Sequence, residues 1–294
     1  MMTRPHPDGS RDLRIEDPSN LWLIHPAGRA LLPHAVALGI SANAVSVAGL
    51  LLGGGAAACF ARWSDWRFVV LGLLLAVGWL IADGLDGMIA RATGTASPLG
   101  RMLDGLCDHG VFVLIYVTLA LSLGTVQGWA LAVAAGVAHA VQSSLYEGER
   151  ARFHRRARGI AQPALPAVQG NALVRLYDIF ATSLDRVALR FERRMARAED
   201  PASFGQTYAR AAAPAMKWMA WLTANVRVEA IAIACLLGDP QLFWGFEIVV
   251  LSAIAAITIA RHRAVERRLA GDTSFLAAGG RIAGIITTKE QGHR

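Results

Sequence analysis

Asp83-Gly84-Leu85-Asp86-Gly87-Met88-Ile89-Ala90-Arg91, the connection Ala92 to Leu99, then Gly100-Arg101-Met102-Leu103-Asp104-Gly105-Leu106-Cys107-Asp108: this stretch sets four carboxylates beside long apolar runs. Asp83, Asp86, Gly87 and Ala90 recur at helical spacing and share one face, and Gly100, Asp104 and Asp108, each four apart, share another. Between them Ser97-Pro98 reads as an N-cap and first-turn proline, so Ala92 to Ala96 is a tight connection in which Gly94 takes an awkward dihedral. Two consecutive helices therefore bring acidic faces together.

An ionised Asp at the centre of a membrane helix costs roughly 2.5–3.5 kcal/mol on insertion scales. Protonation, pairing with Arg91 and Arg101, or divalent cations with oxygen ligands would relieve four such charges. Two divalent ions balance four carboxylates, and a two-metal site suits phosphoryl chemistry because it can clamp a pyrophosphate and stabilise its leaving oxygen.

Composition points the same way: 54% of the 294 residues are hydrophobic and 17% charged, and mean hydropathy is positive. The net charge of +7 is almost wholly arginine, clustered outside the apolar runs, which suits phospholipid head groups and argues against a nucleic-acid partner. Cys59, Cys107 and Cys235 lie in apolar surroundings without metal-type spacing, so reduced thiols are expected. Gly53-Gly54-Gly55 lacks the strand and lysine of a phosphate loop and reads as close helix packing.

The pattern predicts an all-α, polytopic integral membrane protein with about six transmembrane helices preceded by an amphipathic interfacial helix. Residues 1–11 read as a disordered tail and 12–40 as the interfacial region, with its helix between Pro18 and Leu38. Residues 41–147 hold four spans: Ser41 to Ala61, Arg67 to Arg91, Pro98 to Gly124, and Gln127 to Tyr146, with Trp63 and Trp66 at the opposite interface. Residues 148–213 form a basic insertion, helical over Asn171 to Arg197. Residues 214–261 hold the last two spans, Pro214 to Leu237 and Gln241 to Ala260, and 262–294 a C-terminal tail. Arg91, Arg101, the run Arg150 to Arg158 and Arg261 to Arg268 fall on one side, against Arg62 and Arg67 on the other. The excess of arginine puts the acidic motif and both termini in the cytoplasm, as expected for a bacterial inner membrane.

A second constellation lies on the fourth span. His139, Gln142, Ser143 and Tyr146 share a face that Glu147 continues. Such a stripe needs partners in lipid. With Arg101 it could line a pocket for a polar alcohol, or it could knit helices together. Asn225 and Glu229, with Arg227 on another face, offer packing or a pairing with Glu247.

Asp83-x-x-Asp86-Gly87-x-x-Ala90-Arg91, eight residues, Gly100-x-x-x-Asp104-x-x-x-Asp108 resembles, at every defined position, the signature of the CDP-alcohol phosphotransferases, also called CDP-alcohol phosphatidyltransferases. The resemblance implies transfer of a substituted phosphoryl group from a CDP-alcohol to an acceptor hydroxyl, with release of CMP. It implies that Asp83, Asp86 and Asp104 ligate two Mg²⁺ or Mn²⁺ ions, and that Asp108 shares that site and acts as general base. Gly87, Ala90 and Arg91 would engage the nucleotide and phosphates, and Gly100 would allow close approach. A homodimer packed through membrane helices is also implied. The larger branch of the family uses CDP-diacylglycerol with a small polar acceptor, which is the expectation here. Ser97-Pro98-Leu99-Gly100 with Cys107-Asp108 also resembles the branch that moves choline or ethanolamine phosphate onto a lipid alcohol. An ion transporter with paired intramembrane acids is the rival of another class; it leaves Arg91 and the glycines unexplained.

Overall fold

Ser41 begins the first long helix because its hydroxyl accepts from the Ala44 amide at 3.2 Å, satisfying one of the donors a helix start leaves open. The protein is described here by a computed structural model, which covers residues 12–162 and 188–271, with the side chains of Pro98, Leu99, Arg101, Met102 and Asp104 excepted. The tail 1–11, most of the insertion's expected helix and all of the C-terminal tail beyond residue 271 lie outside the described residues.

Every described element is helical. A π-helical turn, Asn20–Ile24, leads into α1 (His25–Ala37), and α2 is Ala42–Phe60. Asp65 caps α3 (Trp66–Ala92) by accepting from the Arg67 amide, and Ser97 caps α4 (Pro98–Leu123) by accepting from Gly100 at 3.0 Å. Gly94 turns the chain between them at φ 67°, a left-handed conformation that glycine adopts without a Cβ clash. Gly124 ends α4 in the same conformation. Then follow α5 (Val126–Ala157), a helical stretch over 188–196, α6 (Pro201–Trp218), a 3₁₀ turn Met219–Leu222, and α7 (Ala224–Leu236). The last helix, α8 (Gln241–Leu269), carries a π turn at Phe246–Leu251.

Among the described residues, α2, α3, the Gly105–Leu123 part of α4, and α8 are long and apolar enough to cross a membrane. Pro201–Leu222 and Ala224–Leu236 qualify only when taken together as one broken span, which makes up to five. Two details differ from the sequence reading. The stretch expected to be a span from Pro214 to Leu237 is not one helix: Pro214 lies inside α6, and the chain breaks at Met219–Leu222, where the Thr223 hydroxyl donates to Asp17 Oδ2 at 2.9 Å and the Arg227 guanidinium donates to the Leu222 carbonyl. α5 continues past Tyr146 to Ala157, and its polar stripe keeps it below the apolarity of the other four.

The described residues fall into two compact units, one comprising the chain up to Gly148 with Lys217–Ala256, the other Glu149–Met216 with the chain from Ile257. The core of the first is built from Phe60, Trp79, Val111, Phe112, Ile115, Tyr116 and Leu119 with Ile231, Phe243 and Trp244. α2 and α4 approach so closely that a methyl at Gly53 would collide with Val111. At the other end of these helices, the Trp63 indole donates to Ser122 at 3.1 Å.

Candidate active site

The motif acids occupy the C-terminal part of α3 and the N-terminal part of α4. Asp86 is 4% exposed, Asp83 and Asp108 are half-buried, and Arg91 is exposed on the last turn of α3. For Asp104, only its backbone position one helical turn before Asp108 is described. A carboxylate buried as deeply as Asp86 needs donors. Ser46, on α2, supplies one, its hydroxyl donating to Asp86 Oδ2 at 2.5 Å. Trp79, one turn before Asp83 on α3, donates its indole N–H to Asp108 Oδ1 at 3.2 Å.

The motif's small residues have visible uses. A Cβ on Gly87 would stand 3.2 Å from Arg91 Nη1, so glycine leaves that face open to the guanidinium. A Cβ on Gly100 would stand 3.2 Å from Ser97 Oγ and 3.6 Å from Asn43 Oδ1, so α4 begins against the first turn of α2. α1 lies on the same part of α3: Gly28 faces Met88 and Leu85. Ala90 is half-buried near the end of α3.

The polar stripe of α5 divides. His139 Nδ1 lies 3.2 Å from the Tyr116 hydroxyl and 3.8 Å from Glu247 Oε1. Gln142 donates from Nε2 to the Glu247 carbonyl at 2.9 Å and to Ser252 Oγ at 3.0 Å, and accepts from Arg227 Nη2 at 2.8 Å. Arg227 also pairs with Glu247, Nε to Oε1 at 3.0 Å. Glu247 sits in the π turn of α8, and its carbonyl accepts the Gln142 amide. His139 and Gln142 are thus engaged between helices, while Ser143 and Tyr146 are half-buried and Glu147 is exposed. Arg101's side chain lies outside the described residues. Asn225 donates to Ser19 at 2.6 Å and Asn20 at 2.7 Å, fastening the N-terminal segment to α7.

A second buried cluster occurs in the other unit. Ligand-type atoms of Glu149, His262 and Glu266 lie within 4.8 Å of one another. Arginines already neutralise it: Arg152 donates to Glu149 at 2.6 Å, Arg263 bridges Glu149 and Glu266, and Arg156 joins Glu266 to Glu192. His262 stands between Glu149 Oε2 at 2.5 Å and the Tyr208 hydroxyl at 2.7 Å, an arrangement one neutral tautomer satisfies. Burial works against ionising Glu149, but the His262 hydrogen bond and the Arg263 charge outweigh it and hold that carboxyl well below its usual range. Glu192 is likewise lowered: desolvation opposes its charge, and the bonds from Arg155 and Arg156 prevail. A dication would meet guanidiniums here, so the cluster reads as an ion-pair lock.

Sequence reasoning passed over Ser46 and Trp79. Their signals were a lone hydroxyl in a run of small apolar residues, and an indole in the middle of a span where tryptophan usually marks an interface.

Residues 39–169 match the family model of the CDP-alcohol phosphatidyltransferases. Among curated proteins, the chain is 44% identical over 62 residues to cholinephosphotransferase 1 of Xenopus laevis (19% of this chain, 15% of that protein). It is 30% identical over 121 residues to cholinephosphotransferase 1 of Homo sapiens (39% and 29%), and 39% identical over 54 residues to ethanolaminephosphotransferase 1 of Pongo abelii (18% and 13%). The chain thus spans less than a third of the length of these three relatives. No solved structure matches it. The whole acidic motif lies inside residues 39–169, the part of the chain that matches the CDP-alcohol phosphatidyltransferase family.

Proposed function

We propose that the protein transfers a substituted phosphoryl group from a CDP-alcohol to an alcohol acceptor during phospholipid synthesis, at the cytoplasmic face of a bacterial inner membrane. The observation that carries this reading is the acidic motif on adjoining ends of α3 and α4, with Asp86 and Asp108 each held by a donor from the core. Carboxylates alone form an all-oxygen donor set, which fits hard divalent cations such as Mg²⁺ or Mn²⁺. Asp83, Asp86, Asp104 and Asp108 would hold two of them, and bound there the ions supply charge neutralisation of the pyrophosphate and its leaving oxygen.

The chain's own residues do the remaining work. Arg91, exposed beside Gly87, binds the donor's phosphates, and Gly87, Ala90 and Gly100 keep that approach clear of side chains. Asp108 takes the proton of the acceptor hydroxyl as its oxygen bonds to phosphorus and the bond to CMP breaks. The sequence expectation favoured CDP-diacylglycerol as donor. The similarity to choline- and ethanolamine-phosphotransferases, together with Ser97-Pro98-Leu99-Gly100, favours instead a CDP-choline- or CDP-ethanolamine-type donor and a lipid alcohol acceptor. A homodimer in the bilayer completes the reading.

The test is a donor panel with the full chain in vesicles: CDP-choline and CDP-ethanolamine with diacylglycerol, and CDP-diacylglycerol with glycerol phosphate, inositol phosphate or serine. CMP release with a new phospholipid in the first arm is expected. Products only in the second arm would return the donor to CDP-diacylglycerol. Ion flux without cytidine-nucleotide binding would overturn the transferase reading.

A further inference from the structure

We infer that Trp79 is a positioning residue of the active site, orienting the Asp108 carboxylate toward the acceptor through its indole N–H; this rests on the transferase reading above. Trp79 is 2% exposed and belongs to the apolar core, yet its one polar atom reaches Asp108 Oδ1 at 3.2 Å. Spacing explains how one side chain serves both. Trp79, Asp83 and Asp86 stand at i, i+4 and i+7 on α3, so the indole lies on the face that carries the acids. On α4, Asp108 and Phe112 are four apart, and the indole addresses both: its N–H meets Asp108, and its ring meets Phe112 edge-on, with centroids 5.4 Å apart and planes at 77°.

The ring is held from other sides too. Phe112 in turn meets His139, with ring centroids 4.3 Å apart and planes tilted by 48°, and His139 is tied to Tyr116 and Glu247. Gly49 on α2 packs against the indole edge, a Cβ there standing 3.4 Å from Trp79 Cδ1, in ordinary contact with the ring. An indole N–H only donates, so it fixes one oxygen of the carboxylate without competing for the acceptor's proton. A wide, core-packed ring loses few conformations in doing so, which makes the position of Asp108 as stiff as the α3–α4 packing itself.

The test compares the full chain with Trp79→Phe, which keeps a ring and removes the donor, using whichever CDP-donor the wild type accepts. Donor affinity, measured by titration, should change by no more than about twofold, while kcat falls about 10- to 100-fold, the range of a hydrogen bond to a charged group. Adding Asp108→Asn supplies a readout that a purely structural role would not give. If Trp79 acts through Asp108, the double variant is no slower than Asp108→Asn alone; multiplying losses would overturn the inference. An unchanged kcat in Trp79→Phe would also overturn it. Should that variant unfold, Phe112→Leu keeps the N–H and loosens the ring, and kcat must fall while donor affinity holds; parallel loss of both would count against Trp79. Failure of the wild type to release CMP from any donor would instead remove the transferase reading, and this inference with it.

Discussion

The Ser46 hydroxyl and the Asp86 carboxylate, forty residues apart in sequence, meet at 2.5 Å and tie α2 to the motif end of α3. Ser46 is itself buried, so water replaces it poorly. Ser46→Ala should cost about 1–3 kcal/mol, the usual penalty for withdrawing one partner from a buried polar group. Thermal unfolding in detergent reads the loss, and metal-dependent donor titration should show weakened binding as Asp86 loses its orientation.

The acids should separate by role. Asp108→Asn should retain much of its donor binding while turnover falls by about 10²–10⁴, the contribution of positioned acid–base catalysis. Asp83→Asn and Asp86→Asn should lose both, because a lost ligand leaves the pyrophosphate facing uncompensated acids. Titration calorimetry beside the turnover assay distinguishes the cases; equal loss of donor binding in all three would make Asp108 chiefly a ligand.

Chelation should abolish turnover, and Mg²⁺ or Mn²⁺ should restore it. Excess Ca²⁺ should inhibit, because its longer and looser coordination misplaces the pyrophosphate. Full activity in chelator would refute the two-metal reading.

Arg227 and Glu247 form a buried pair in which Gln142 also takes part. Arg227→Met leaves Glu247 without its countercharge and should destabilise the protein by about 3–5 kcal/mol on soluble-protein precedent, less where the membrane-unfolded chain finds other partners. Pairing it with Glu247→Leu should recover most of the loss, as read by thermal unfolding in detergent.

Acid should loosen the unit built on Glu149 and Glu192. Both carboxyls are held below the usual carboxylate range when folded. The unfolded chain therefore binds protons first as pH falls. Their contribution to stability is complete above about pH 4.5 and drains away as pH drops through the lower folded values. Hydrogen exchange in residues 149–157 and 188–196 should stay protected at neutral pH and become faster below that threshold.

The sequence by itself determined the helix starts and stops around the motif. Ser41, Ser97-Pro98, Gly94 and Gly124 act on amides and dihedrals within a few residues, so their roles survive without knowledge of any neighbour. It also determined the apolar lengths and the shared faces of Asp83 with Asp86 and Asp104 with Asp108, since both follow from helical period alone. Tertiary structure decided what those faces meet. Trp79 finds Asp108 across 29 residues and Gln142 finds the Glu247 carbonyl across 105, pairings that depend on which helix sides pack together. The break before α7 is of the same kind. Nothing local in Trp218 to Thr223 forbids a continuous helix, but Asp17 holding Thr223 and Arg227 capping the Leu222 carbonyl make the interrupted path the satisfied one.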